Sequence, residues 1–222
     1  MYPVLLNLGP LPIHSYGLML ALGFLAGLYL ARRDAPKFGL DPDKIADAAF
    51  WALLIALAGT RGAFIMMFPD DFSWSNPLGW FAIWQGGLVF QGAIPPAALY
   101  LYFWTRRNKM SFWTVGDLAV PCLALGQAIG RLGCFFNGCC YGARTDATWG
   151  ISFPRVPFDT SKSVTGSPVF LDHVHKFGLN SAVDQWSYHI HPTQLYSSFG
   201  LLFLCLLLIT LRTYCRPFHG ST

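Results

Sequence analysis

The sequence predicts an all-α polytopic transmembrane helical bundle with a small extracytoplasmic head segment, and three observations lead there. The 222 residues are 54% hydrophobic and only 12% charged, about half the charge of an ordinary soluble chain, and the mean hydropathy is +0.42. Apolar residues gather in stretches of roughly 20, the length a helix needs to cross about 30 Å of hydrocarbon. Basic residues collect in the gaps between these stretches, as they do on the cytoplasmic side of membrane proteins.

The first stretch, 16–31, is followed by Arg32, Arg33, Lys37 and Lys44, which places that loop in the cytoplasm. The second, 45–68, leads outward to Asp70 and Asp71, and the third, 80–104, returns to Arg106, Arg107 and Lys109. A fourth, 113–136, precedes the polar segment 137–190, and a fifth, 195–211, ends at Arg212 and Arg216. Nine of the fifteen basic residues then share one side, so five crossings put the N-terminus and 137–190 outside. Residues 1–222 form one integral membrane domain on this reading, and Pro154, Pro157, Gly166, Pro168 and Gly178 make the head a small irregular cap. Gly86, Gly87, Gly92, Pro95 and Pro96 punctuate the third stretch. They predict a broken or re-entrant helix, lining a cavity or packing closely through small residues. The first stretch lacks a basic leader, so a cleavable signal peptide is not expected.

Composition also excludes. All eleven acidic residues are Asp, which removes the glutamate pairs common in glycosidases and di-metal bundles. The net charge of +4 comes without a basic run interleaved with aromatics, so nucleic acid is not an expected partner. Of six cysteines, Cys122 and Cys205 fall in apolar stretches and Cys215 adjoins Arg216. Cys134, Cys139 and Cys140 are neighbours, but no His or further Cys completes a recognised ligand spacing. They read as small apolar residues; no metal site and no cofactor is expected.

Arg61, within Ala58-Gly59-Thr60-Arg61-Gly62, and Arg131, within Gly130-Arg131-Leu132-Gly133, fall in or at the edge of apolar stretches. Each costs at least about 2.5 kcal/mol there on insertion scales. A buried ion pair with Asp117, or snorkelling to an interface, would account for one of them. Two arginines flanked by glycines fit a bound anion better, because guanidinium grips phosphate through a planar fork while glycine lets backbone N–H groups approach. The common phosphate in a bilayer is a phospholipid headgroup. Residue by residue, the chain therefore predicts a lipid-binding cavity with Arg131 first and Arg61 second, but no reaction.

The segment Gly130-Arg131-Leu132-Gly133-Cys134-Phe135-Phe136-Asn137-Gly138-Cys139-Cys140-Tyr141-Gly142 resembles the signature of the bacterial prolipoprotein diacylglyceryl transferases. Further segments resemble the family in the same order: Ser15-Tyr16-Gly17-Leu18-Met19, Gly59 to Arg61, Trp84-Gln85-Gly86-Gly87-Leu88-Val89-Phe90, Asp117, and His191-Pro192-Thr193-Gln194-Leu195-Tyr196. The resemblance implies a multi-pass bacterial inner-membrane enzyme that moves the diacylglyceryl group of phosphatidylglycerol onto the lipobox cysteine of a prolipoprotein signal peptide. Its partners would be phosphatidylglycerol, that precursor and membrane lipid. Arg131 would bind the phosphate, and Asn137, Gly138 and Gly142, with Arg61, Gln91, Asp117 and Gln194, would contribute to the substrate site. His191 and Tyr16 are the further catalytic candidates, with His14 a weaker one.

The chain departs from the family pattern in places. Gln91 stands where a His often follows the Gly-Gly-Leu-x-Phe segment, and an amide is no general base. Cys134 replaces an Asn, Cys139 a Glu, and Ser197 a Glu. The family also implies two further spans after Thr222, with another functional arginine, so the chain is expected to be a fragment or a shortened relative. A non-catalytic phospholipid-binding paralogue is the alternative. A small transporter is a third reading, and it lacks the paired broken helices such folds carry.

Overall fold

The computed structural model of the protein describes residues 4–8, 11–69, 89–155, 167–179 and 184–214, with side chains from His14 onward. The chain opens on an antiparallel hairpin, β1 (Val4–Leu8) and β2 (Leu11–His14), with Leu8 opposite Leu11. An all-α expectation passes over this hairpin, although Gly9-Pro10 between two short apolar runs is turn chemistry. Among the described residues six α-helices follow: α1 (Ser15–Asp34), α2 (Pro42–Met67), α3 (Ile94–Arg107), α4 (Phe112–Asn137), α5 (Pro168–Phe177) and α6 (Thr193–Tyr214).

Their boundaries follow local chemistry. Arg32 and Arg33 end α1 and Arg106 and Arg107 end α3, where cations complement the helix dipole. Asp41 caps α2 by accepting from the Asp43 amide at 3.0 Å, with Pro42 as its first residue. Ser167 caps α5 by accepting from the Phe170 amide at 3.3 Å. Gly178 closes that helix in the left-handed region at φ 66°.

Among the described residues, four helical segments are long and apolar enough to cross a membrane: Ser15–Phe38, Pro42–Met67, Phe112–Asn137 and Thr193–Tyr214. The chain is an all-α polytopic membrane protein. Residues 80–88 of the third apolar stretch, including Gly86 and Gly87, lie outside the described residues, as do Asp70, Asp71, Pro157 and Gly166. The described remainder of that stretch begins as a 3₁₀ helix, Phe90–Ala93, and continues directly into α3.

The chain divides into two compact units, 1–27 with 120–215, and 28–119 with 216–222. In the first, α1 meets α4 through small residues. A Cβ on Gly23 would lie 2.7 Å from the Gly126 carbonyl oxygen, and one on Gly27 would lie 3.0 Å from that of Cys122. Backbone approach of this kind is how helices associate without a hydrophobic drive. The Ser198 hydroxyl of α6 donates to the Ala128 carbonyl of α4 at 2.8 Å. Leu20, Leu22 and Leu25 on α1, and Phe199, Phe203 and Leu206 on α6, are exposed, leaving large apolar side chains for lipid.

The polar segment in this unit is more regular than an irregular cap. It contains α5, short bridges Arg144–Ile190, Ile151–Ile190 and Pro154–Trp186, and a core of Phe153, Val169 and Ile190 flanked by Phe135, Tyr141 and Ile151. The Val169 amide donates to the Gly138 carbonyl at 3.2 Å, fastening α5 to the chain just beyond α4.

In the second unit, the fully buried Asp34 pairs with Arg33 at 3.1 Å and Lys37 at 2.8 Å. Gly59 of α2 and Gly92 of the 3₁₀ helix press backbone to backbone with no room for a Cβ at either position. The Val89 amide reaches the Thr60 carbonyl at 3.2 Å beside them.

Candidate functional site

The signature segment occupies the last two turns of α4 and the loop after it, and its geometry starts from one backbone motif. Gly138, at φ 71°, turns the chain left-handed just past Asn137. Its amide then donates to the Phe135 carbonyl at 3.2 Å, and the Cys139 amide donates to the Cys134 carbonyl at 3.1 Å. These are the two bonds of a Schellman cap. Gly138 is thus required by the turn, and the cap brings Cys134 and Cys139 together although four residues lie between them.

Cys140 also adopts a positive φ, 58°, which an L side chain rarely does. The start of α6 holds this second bend. The Thr193 hydroxyl donates to the Cys140 carbonyl at 3.1 Å, and the Gln194 side-chain amide donates to the Cys139 carbonyl at 2.8 Å. The outcome is a cluster in which the sulfurs of Cys134, Cys139 and Cys140 all lie within 4.8 Å of one another. Cys134 is buried, Cys139 half-buried and Cys140 exposed.

The charges around this cluster are unequal. Hydrogen bonds from the Cys134 thiol and, more weakly, the Asn137 amide hold the Cys139 thiol down at about 6 against the opposing effect of burial. Burial and the adjacent Cys139 charge push Cys140 up, while the Arg131 guanidinium pulls it down. Tyr16, half-exposed at the start of α1, lies within electrostatic reach of all three thiols and of Arg131. A Cβ on Gly133 would lie 3.3 Å from the Tyr16 ring.

His191 stands at the other edge of the assembly. Its Nδ1 is 3.4 Å from the Tyr196 hydroxyl, its amide donates to the Ala143 carbonyl at 3.0 Å, and its carbonyl accepts from the Gly142 amide at 3.1 Å. Gly142 is pressed against this segment: a Cβ there would lie 2.7 Å from Thr193 Cγ2 and 2.9 Å from the His191 carbonyl oxygen. Gln194 is fully buried, and its side-chain oxygen has no hydrogen-bond partner among the described residues. Tyr141 extends the site into the head. Its hydroxyl donates to Asp172 at 2.5 Å, and burial beside that carboxylate pushes the phenol up.

The structure therefore gathers Tyr16, Arg131, Asn137, Gly138, Gly142, His191 and Gln194 into one unit. Arg61, Gln91 and Asp117 belong to the other. There Arg61 is buried with its guanidinium 5.5 Å from the centre of the Phe64 ring, Asp117 is buried in α4, and Gln91 is exposed on the 3₁₀ helix. His14 is exposed at the end of β2.

In the sequence the three cysteines read only as small apolar residues. The signal that would have joined them is the spacing Cys134-x₃-Gly138-Cys139: a glycine four residues after one cysteine, with a second cysteine next, is the frame of a Schellman cap.

A family model described as prolipoprotein diacylglyceryl transferase matches residues 3–222. A protein of Synechococcus elongatus named phosphatidylglycerol–prolipoprotein diacylglyceryl transferase is 37% identical over 211 residues, covering 94% of this chain and 64% of its own length. Proteins of the same name from Photobacterium profundum and Geobacter sulfurreducens are 33% and 36% identical, covering 95% and 75% of this chain and 70% and 67% of their own lengths. The chain spans about two thirds of the length of these relatives.

Proposed function

The chain belongs to the prolipoprotein diacylglyceryl transferase family, and from that premise we propose that it transfers the diacylglyceryl group of phosphatidylglycerol to the thiol of a prolipoprotein cysteine. The thiolate sulfur attacks the glycerol carbon, the carbon–oxygen bond to phosphate breaks, and glycerol phosphate departs with the bonding electrons. A thioether remains. The leaving group gathers negative charge as the bond breaks, and a fixed cation stabilises that charge most where water is scarce.

The observation that carries this reading is the family match across 3–222. The placement of Arg131 supports the site assignment: it lies in the last two turns of an apolar helix, within electrostatic reach of Tyr16 and Cys140. In this reading Arg131 binds the phosphate of the lipid, and Asn137, Gly138 and Gly142 shape the wall beside it. Gln194, in the same unit, completes that wall. Tyr16 and His191 attend the acceptor thiol. The acceptor is the lipobox cysteine of a signal peptide. It arrives at the outer face of the bacterial inner membrane, where the N-terminus and the 137–190 head lie in the five-span arrangement.

Transfer of labelled diacylglyceryl from phosphatidylglycerol to a lipobox peptide tests the proposal, in proteoliposomes holding residues 1–222 and, in parallel, any continuation encoded after Thr222. Label on the peptide thiol is the expected result in at least one of the two, and label in neither overturns the proposal. Arg131→Ala is expected to abolish phosphatidylglycerol binding; a variant that still binds it refutes the assignment of Arg131.

A further inference from the structure

We propose that Cys134, Cys139 and Cys140 form a zinc site of three thiolates whose open fourth position takes the acceptor thiol; the second half rests on the transferase reading above. The sulfurs lie within 4.8 Å of one another. Tetrahedral zinc, with bonds of about 2.3 Å, holds ligand sulfurs about 3.8 Å apart. The sulfurs are thus within about 1 Å of that spacing.

The backbone is already arranged for this. The Schellman cap fixes Cys134 against Cys139, and the carbonyls of Cys139 and Cys140 are held by Gln194 and Thr193, leaving the side chains to converge. Cys140 keeps a left-handed φ of 58° that a glycine would adopt without strain. Strain of that kind persists where the surroundings over-determine it, and it clusters at functional positions.

Thiolates select thiophilic cations over magnesium or calcium, which prefer oxygen. Among these cations zinc is the one held by three protein ligands with a fourth position left open. Three thiolates around Zn²⁺ carry one net negative charge, one less than around Cu⁺. Exposure grades from buried Cys134 to exposed Cys140, so one side of the cluster is open to an incoming group.

Zinc held by three protein ligands with a vacant position is the catalytic pattern, and a thiol that coordinates such an ion is deprotonated outright. That supplies what Gln91 does not, since an amide takes no proton. The acceptor thiol releases its proton to water as its sulfur joins the metal. The bound sulfur then attacks the glycerol carbon, the carbon–oxygen bond breaks, glycerol phosphate leaves with the electron pair, and the weakly coordinating thioether dissociates.

The test uses the full chain purified in phosphatidylglycerol-containing bilayers. Zinc content is measured by mass spectrometry of the element, and Cd²⁺ is titrated while the thiolate-to-cadmium charge-transfer band is followed. One zinc per chain and a saturable band are expected. The band should weaken in Cys140→Ser, the exposed position least able to disturb folding, and vanish in the triple serine variant. Wild-type protein without zinc or band, its thiols free or joined in a disulfide, overturns the site. For the open position, sulfur neighbours counted by X-ray absorption should rise from three to four when a lipobox peptide is added; an unchanged count overturns the acceptor role. Transfer to the peptide that persists in a metal-free triple variant also overturns that role. Zinc bound at full stoichiometry with no transfer, either by residues 1–222 or by the continued chain, refutes the transferase reading while leaving the metal site intact.

Discussion

Gly130 and Gly142 lie in the same signature segment, and the structure gives them opposite responses to one added methyl group. An alanine Cβ at Gly142 would meet Thr193 Cγ2 at 2.7 Å, His191 Cβ at 2.9 Å and the His191 carbonyl oxygen at 2.9 Å. Two of the three atoms belong to the backbone or to its first carbon and cannot swing aside. Overpacking of this kind costs about 1–3 kcal/mol, against a gain of about 0.4–1 kcal/mol from a less flexible unfolded chain. The net expectation is a loss of about 1–2 kcal/mol, a factor of 5–30 in the folded ratio. At Gly130, inside α4, a Cβ meets nothing within 4 Å, so alanine should stabilise by up to about 1 kcal/mol through helix propensity. Reversible unfolding in mixed micelles compares Gly142→Ala with Gly130→Ala, and hydrogen exchange at the Gly142 and His191 amides locates the damage. Equal stability of the two variants, or unchanged exchange at those amides in Gly142→Ala, refutes the close approach on which the estimate rests.

Other substitutions probe other joints. Ser198→Ala removes the 2.8 Å bond from α6 to the Ala128 carbonyl and should cost about 1 kcal/mol in the same unfolding assay; no loss would mean the bond is not holding those helices. Asp34→Ala removes the carboxylate that Arg33 and Lys37 share. Both cations are over half exposed and rehydrate, so the expected loss is about 1–2 kcal/mol rather than the 3–5 of a fully buried pair. In the head, His173 is buried and its Nδ1 accepts from the Tyr188 amide at 3.2 Å, which requires the neutral ring. Burial lowers its pKa, Arg144 and Lys176 add to that, and Asp172 opposes it. The folded state therefore binds fewer protons than the unfolded one. The contribution of His173 is complete above the unfolded value of about 6.5 and is lost as pH falls below it. The protection factor of the Tyr188 amide, its exchange corrected for the intrinsic pH dependence, should fall between about pH 7 and pH 5.5, and protection that rises on acidification would refute this.

The membrane class was legible because lipid imposes a coarse pattern: apolar runs of spanning length with charge between them survive any detail of packing. The family was legible in the 130–142 segment for a different reason, since a long run of specific residue types leaves few alternatives. Arg131 stood out because a charge in an apolar helix is costly. What escaped depends on contacts that periodicity does not encode. The hairpin of 4–14 is too short to show alternation. The head reads as proline- and glycine-bearing loop, yet Phe153, Val169 and Ile190 come from three separate stretches to make its core. The thiol cluster depends on a left-handed glycine and on two side chains, Thr193 and Gln194, more than fifty residues further on.

Those two side chains span separations of 53 and 55 residues, and beside them Gly142 and His191 are paired through the backbone. The two ends of the head therefore meet where they leave the helices. A segment joined in this way is an insert with a closed neck, yet its core reaches across that neck, with Phe153 packed on Phe135 and the Val169 amide bonded to the Gly138 carbonyl. Its length can change only where Phe153, Val169 and Ile190 are kept. An experimenter exchanging heads among relatives would carry those three residues across with the segment.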